Sequence, residues 1–302
     1  MPDNIDRRGF LQAGGAALAA SALLPSGIAP AAETSDASHE LKKAVKFGMV
    51  KVDGSVRDKF ALLKELGFEG VDMNSPQDHD EVRRAQDETG LEVHGVVGYG
   101  HWGKPFSHPD PQVRADGLEN IKRAVRDAKA YGGTSVLLVP AVVSKEVSYA
   151  DAYKRSQAEI RKLLPLAEEL EIRILIENVW NNFLLSPVEM ANYIDELESP
   201  MMGVYFDVGN VVRFGWPEHW IRALGERIVK LDIKEYSREL QNKQGPRAGF
   251  GVKLGDGDCD WPAVMQALAD IGYKGWATAE VRGGDAERLK DISQRMDRIF
   301  AG

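Results

Sequence analysis

The sequence predicts an α/β protein folded as a (β/α)8 TIM barrel, on three observations. From residue 45 onward, short apolar strand patterns alternate with helix patterns. Eight such pairs fill roughly 260 residues, the usual extent of a closed eight-fold barrel. No G-x-G-x-x-G opens a helix after the first strand, as expected of an open doubly wound sheet that binds a dinucleotide.

A strand at 45–52 leads into a helix at 56–66 closed by Gly67. A strand at 70–74 leads into a helix at 79–89 closed by Gly90. A strand at 92–98 leads into a long helix at 111–131 closed by Gly132. Glycine suits these stops because it tolerates the left-handed backbone that ends many helices. A strand at 134–143 precedes a helix at 149–170, and a strand at 172–180 precedes one at 187–197. The start of that last helix is marked three ways: Ser186 as N-cap, Pro187 at the first helical position and Glu189 as the capping-box acid. Met190, Ile194 and Leu197 then recur at helical spacing. A strand at 203–210, a helix at 217–224 and a strand at 228–236 follow. The helix at 261–271 takes Asp260 as its cap and Gly272 as its stop. A strand at 275–281 and a helix at 286–300 complete the set. One connection, 237–260, is long, irregular and rich in glycine and charge, and such loops in compact domains tend to be functional. Nothing divides residues 45–302, which are expected to form one domain.

Ahead of that domain, residues 1–31 read as a twin-arginine signal peptide. Arg7-Arg8 precede Phe10-Leu11, an Ala-rich apolar stretch covers 13–24, and Ala29-Pro30-Ala31 sit at cleavage spacing. The stretch is too short and too rich in alanine and glycine to span a bilayer well. The expectation is export to the periplasm through the twin-arginine machinery, with no stable membrane insertion. Residues 32–44 are expected to form a flexible lead-in. The formal charge is −8, and no basic run is long enough to track a phosphate backbone, which argues against nucleic acid. The single cysteine, Cys259, excludes an internal disulfide and a zinc site built from cysteines. The sequence leaves open a homo-oligomer.

The stretch IVKLDIKEYSR (228–238) has the look of a buried strand, yet carries Asp232 in its middle. An ionised carboxylate on a buried face is costly unless a cation accompanies it. Alternation along the last four strands places Leu175 and Glu177, Tyr205 and Asp207, Lys230 and Asp232, and Thr278 and Glu280 toward the barrel axis. Ile174, Ile176, Val204, Phe206, Val229, Leu231, Ile233, Ala277 and Ala279 then face the helices. Each strand thus presents one acid near its C-terminal end, where barrel active sites lie. Four converging carboxylates cannot all stay ionised unaided. Two readings answer this. One is a shared divalent cation, for which all-oxygen ligation favours Mn2+ or Mg2+ over zinc. The other is a set of separate ion pairs with Lys230, Lys234, Arg173 and Arg238.

The segments ILIENVWNNFLLSP, YFDVGN, KLDIKEYSR and WATAEV resemble the xylose isomerase-like TIM barrels, which include sugar phosphate isomerases and epimerases. The resemblance covers 45–300. It implies a Glu, Asp, His, Glu metal site in which the two glutamates flank the sugar and transfer protons. Glu177, Asp207 and Glu280 match that set. At the third position the family usually has histidine in H-x-K-D/E, and Asp232 stands here in DIKE, which biases the site further toward a hard ion. Arg238 matches the arginine that helps hold substrate oxygens in the family's ketose epimerases. Asn210 stands where those enzymes often carry a histidine.

Loop 98–110 (GYGHWGKPFSHPD) follows the third strand and can bring His101 and Trp102 to the barrel mouth; a solvated loop histidine is the alternative for His101. His94 alternates with Val93 and Val97 toward the interior and is a candidate site residue. Trp180 follows Glu177 off its strand and, with Trp102, is a candidate apolar wall for a sugar ring. Lys234 or Arg238 would hold substrate oxygens. The chemistry implied is proton abstraction next to a carbonyl and an enediolate, giving a metal-dependent sugar isomerase or epimerase. The same enediolate can expel a β-substituent, so a metal-dependent lyase on keto-glycosides is the second reading. An endonuclease-like enzyme and a non-catalytic sugar-binding protein are weaker alternatives, the first opposed by the acidic charge and the second by the acid cluster.

Overall fold

Each strand pattern read from the sequence forms a strand. They are β1 (Leu41–Lys46), β2 (Gly70–Asn74), β3 (Glu92–Val97), β4 (Ser135–Leu138), β5 (Arg173–Glu177), β6 (Met202–Asp207), β7 (Ile228–Ile233) and β8 (Gly275–Ala279). In the computed structural model, which describes residues 41–302, the eight pair in parallel and in sequence order, and β8 returns to β1 to close the barrel. The proposed signal peptide and residues 32–40 lie outside the described residues. Among the described residues no helix is long and apolar enough to cross a membrane.

The first strand departs from expectation. It starts at Leu41, so residues 41–44 belong to the barrel and not to a lead-in, and it ends at Lys46 in a single 3-10 turn, Phe47–Met49. The lysines hid it. Lys43 points outward and donates to Ser293 Oγ at 2.9 Å, Lys42 lies over the Trp276 ring, and Lys46 points inward, so a strand lined with three cations lacks the apolar alternation that marks the others. Its register with β8, from Leu41 opposite Gly275 to Val45 opposite Ala279, is what closes the barrel.

Eight helices occupy the expected places: α1 (Val56–Glu65), α2 (His79–Thr89), α3 (Pro111–Tyr131), α4 (Tyr149–Leu170), α5 (Pro187–Asp195), α7 (Pro217–Leu224), α9 (Trp261–Asp270) and α10 (Ala286–Ala301). Two short ones were not anticipated. α6 (Val208–Val212) replaces the end of the expected sixth strand, because the Asp207 side chain accepts the Asn210 N–H and caps a helix there. α8 (Arg238–Gln244) and a 3-10 segment (Pro246–Gly251) give the long 237–260 connection its own structure. Ser186 caps α5 through the Glu189 N–H. The reciprocal half of the capping box is absent: Glu189 accepts instead from Leu185 N–H and the Tyr149 hydroxyl.

The core lies mainly between strands and helices, where Ile174, Ile176, Val204, Phe206, Leu231, Ile233, Ala277 and Ala279 pack as the alternation predicts. A small inner cluster of Leu137, Leu175 and Tyr205 fills the barrel axis. Val229 is the exception, packing against that inner cluster. Between Val204 and Tyr205 the β6–β7 register shifts, pairing Ile228 with Val204 but Lys230 with Tyr205, and this bulge leaves Val229 out of the alternation.

Helix α3 holds the 98–110 loop in place through Gly117. A Cβ on Gly117 would lie 2.2 Å from the Lys104 carbonyl oxygen. Alanine in a helix interior ordinarily gains ~1 kcal/mol over glycine. Here the clash is with backbone, so Gly117→Ala is expected to destabilise by ~1–3 kcal/mol, as overpacking does. A chemical denaturation midpoint at or above that of the parent would contradict this.

Candidate active site

The four acids meet where the strands place them. Glu177 and Asp207 are the last residues of β5 and β6, Asp207 pairs in register with Asp232 on β7, and the Glu280 N–H just beyond β8 donates to the Ile233 carbonyl. One carboxylate oxygen from each lies within 4.8 Å of the others. Asn178 ties the ends of β5 and β6 together: its side chain donates to the Asp207 carbonyl and accepts the Asp207 N–H, both at 2.8 Å.

Two lysines accompany the acids. Lys46 Nζ is 2.9 Å from Asp232 Oδ1 and 2.9 Å from Asp72 Oδ2, and lies over the Tyr205 ring at 4.2 Å. Lys234 Nζ is 2.7 Å from Asp207 Oδ2 and 3.3 Å from Glu280 Oε2. Asp232 therefore sits against Lys46, a partner the sequence reading did not consider. Of the cations it did consider, only Lys234 reaches the cluster. Lys230 donates to the His94 carbonyl inside the barrel. Arg173 bonds the Pro200 carbonyl.

Two lysines do not satisfy four acids. Asp207 Oδ2, both Asp232 oxygens and Glu280 Oε2 are buried without a well-directed hydrogen bond, although lysine nitrogens stand at ion-pair distance. Burial first, then Glu280, pushes the Glu177 carboxyl well above the usual range. Burial also raises Asp232 well above it, against the pull of Lys46. Asp207 is raised to about 6 by burial, which outweighs the opposing Lys234. Glu280 goes the other way. Burial acts to raise it, but Lys234 and then Lys46 outweigh this and hold it down at about 2. Lys46 is driven well above its ordinary value because Asp232 and Asp72 outweigh its own burial.

A cavity of about 710 Å3 opens at the barrel mouth beside the acids. Glu177, Glu280, Lys46 and Lys234 line it, whereas Asp207 and Asp232 lie behind, fully buried. His101 and Trp102 reach the cavity from the 98–110 loop, as expected. His101 is buried, so it is no solvated loop residue, and burial lowers its imidazole to about 4, keeping it neutral. Trp180 also lines it, held by Nε1 donating to the Asn210 carbonyl at 2.9 Å and packed on Phe250 at 4.8 Å. Asn210 Oδ1 is 3.5 Å from Lys234 Nζ.

Two candidates sit elsewhere. His94 lies in the barrel interior, stacked on Trp276 at 4.5 Å with Nε2 3.2 Å from Thr278 Oγ1, and does not line the cavity. Alternation correctly turns it inward, but its early position in β3 puts it below the mouth. Arg238 is spent on structure: its guanidinium donates to the Val212 and Gly215 carbonyls, both at 3.0 Å. The arginine at the cavity is Arg247, from the 3-10 segment. The reading also missed Glu235, fully buried, which accepts from Gly255 N–H, Cys259 N–H and Trp261 Nε1 and fastens the 237–260 connection over the site.

The donor set fits a hard divalent cation. Ions of this class sit ~2.0–2.6 Å from carboxylate oxygens, which requires ligand oxygens within ~4–5 Å of each other. The four acids outnumber the two lysines beside them, and Lys46 is shared with Asp72, so the cluster carries an excess of negative charge that a divalent ion would offset.

Comparison with known proteins agrees with this architecture. L-ribulose-5-phosphate 3-epimerase UlaE of Escherichia coli K12 is 24% identical over 264 residues, covering 79% of this chain and 89% of that protein. The apo crystal structure of 3-keto-D-glucoside 4-epimerase YcjR from E. coli superposes with a TM-score of 0.73 at 17% identity, covering 87% of this chain and all of that one. IolI with a bound zinc atom superposes with a TM-score of 0.72 at 14% identity, covering 86% of this chain and 98% of that one. The sequence profile of one family matches residues 60–300. The chain belongs to the xylose isomerase-like TIM barrel family.

Proposed function

We propose that the protein is a divalent-metal-dependent sugar epimerase or isomerase that moves a proton next to a carbonyl. One observation carries this reading: of four converging acids, the two aspartates are sealed behind the site and only the two glutamates face the cavity. The sugar epimerases among the relatives support the substrate class.

Glu177, Asp207, Asp232 and Glu280 would hold the ion, Mn2+ or Mg2+ by the all-oxygen donor set. Bound there, it would supply the positive charge that stabilises an anion developing on substrate oxygens. Glu177 and Glu280 approach the sugar from separate strands, β5 and the end of β8. One takes the proton from the carbon beside the carbonyl, leaving an enediolate, and it or the other returns a proton. Return to the same carbon from the opposite face inverts it; return to the neighbouring carbon exchanges aldose and ketose. Lys234 and Lys46 present ammonium groups to substrate oxygens. His101, held neutral, hydrogen-bonds a hydroxyl, and Trp102 and Trp180 cover the apolar faces of the ring.

The test is a screen of Mn2+-loaded protein on free ketoses, sugar phosphates and 3-keto-glycosides in D2O, read by NMR. Deuterium is expected at the carbon next to the carbonyl in the product. Turnover with that carbon free of deuterium would argue for a hydride shift or a shielded proton return. Product that has lost its aglycone would instead make the enzyme a lyase.

A further inference from the structure

A second cavity, of about 620 Å3, adjoins the first. The two share Val179, Trp180, Asn210 and Arg247 as lining residues, so the second space begins where the acid-lined cavity reaches Trp180. Its chemistry differs from that of the first. No aspartate, glutamate or lysine lines it. Leu184, Leu185, Val211, Phe214 and Trp220 make its walls, and Leu185 and Phe214 stand 64% and 67% exposed, far more than apolar side chains of this size usually are. Arg213 lies with its guanidinium 4.8 Å from both the Trp180 and Phe214 rings, which builds a stacked wall of two aromatic faces around a cation.

We propose that this groove binds the aglycone of a glycoside, an aromatic group, while the glycosyl ring occupies the acid-lined cavity. The inference rests on the sugar reading above and narrows it to substrates larger than a monosaccharide. The first cavity is already within the size range of a pocket for one small ligand, ~300–1,000 Å3. A monosaccharide there leaves the groove and its exposed leucine and phenylalanine facing water. A flat, apolar group attached to the sugar covers them and stacks beside Trp180. A phosphate ester is the competing occupant, because Arg213 and Arg247 both line the groove, but it would leave Leu185 and Phe214 facing water, and the Arg213 guanidinium is already stacked between two rings.

The test compares binding of matched, unreactive ligands to the full chain by calorimetry: phenyl and methyl β-D-glucopyranosides, with the galactosides and xylosides as further pairs, and glucose 6-phosphate. The phenyl compound of at least one pair is expected to bind at least tenfold tighter than its methyl partner. Leu185→Asp and Phe214→Ser, both at exposed positions, are expected to shrink that ratio below threefold. Equal affinity of phenyl and methyl compounds would overturn the groove assignment. So would a ratio unaltered by both substitutions. Tight binding of the phosphate that is lost in Arg213→Met or in Arg247→Met would overturn it in favour of an anion site. If no glycoside binds while a free sugar still takes up deuterium, the aglycone proposal falls and the epimerase reading stands.

Discussion

Glu177→Gln and Glu280→Gln are each expected to lower kcat on the order of a hundredfold or more, the usual cost of losing a positioned general acid or base. Glutamine keeps the size of the side chain and one carbonyl oxygen but cannot exchange a proton with carbon. The two positions are not equivalent in the metal-free protein. Lys234 and Lys46 hold Glu280 ionised, while burial and Glu280 itself favour a protonated Glu177. Paired carboxyls pushed apart in this way suit one base and one acid. Metal loss is the competing cause of a low rate, so ion content must be measured on the same samples. A variant that keeps its ion and loses turnover isolates proton transfer. Glu177→Gln replaces a carboxyl that burial and Glu280 already favour in its protonated form, so its melting temperature should stay level, whereas Glu280→Gln removes a carboxylate paired with Lys234 and should lower the melting temperature modestly without unfolding the barrel. Turnover within about threefold of the parent in either variant, with the ion retained, would remove that glutamate from the chemistry.

The legible parts of the protein were those with local signatures. Eight strands and eight helices followed from period and from caps such as Ser186, Asp260 and Gly132, because these act within a few residues of chain. The four acids were legible because alternation fixes their direction and each stands at or near the C-terminal end of its own strand. What escaped depends on distance in space. Lys46 is 186 residues from Asp232, on a strand disguised by its own lysines, and only closure of β1 onto β8 brings that strand round. Arg238 carried a motif match, yet the neighbouring loop offers it two backbone carbonyls and the match says nothing about those. His94 had the right face and the wrong height: alternation gives a direction, while depth along the barrel depends on where the strand begins.

Asp232→Ala is expected to abolish stoichiometric binding of the divalent ion, from about one per chain in the parent, with the barrel intact. Asp232 is fully buried and offers two oxygens that no well-directed hydrogen bond satisfies, so it is the acid with most to gain from an ion. Its removal leaves Lys46 paired with Asp72, which keeps that ammonium from being stranded. Asp232→Asn tests the charge alone and should weaken binding on the order of tenfold or more. The pH dependence has a definite sign. A carboxyl whose folded value lies above its unfolded one stabilises the protein below the unfolded value and loses that contribution as pH rises through the folded one. For Asp207 the window runs from 3.8 to about 6, the upward shifts of Glu177 and Asp232 act in the same direction, and the lowered Glu280 alone opposes them. The metal-free protein is therefore strained by its own charges at neutral pH, and the ion relieves that strain. Added Mn2+ should raise the melting temperature more at pH 8 than at pH 5, and Asp232→Ala should flatten the difference. Full ion retention by Asp232→Ala, measured by elemental analysis after dialysis, would return Asp232 to a plain ion pair with Lys46 and leave at most three acids to hold a metal.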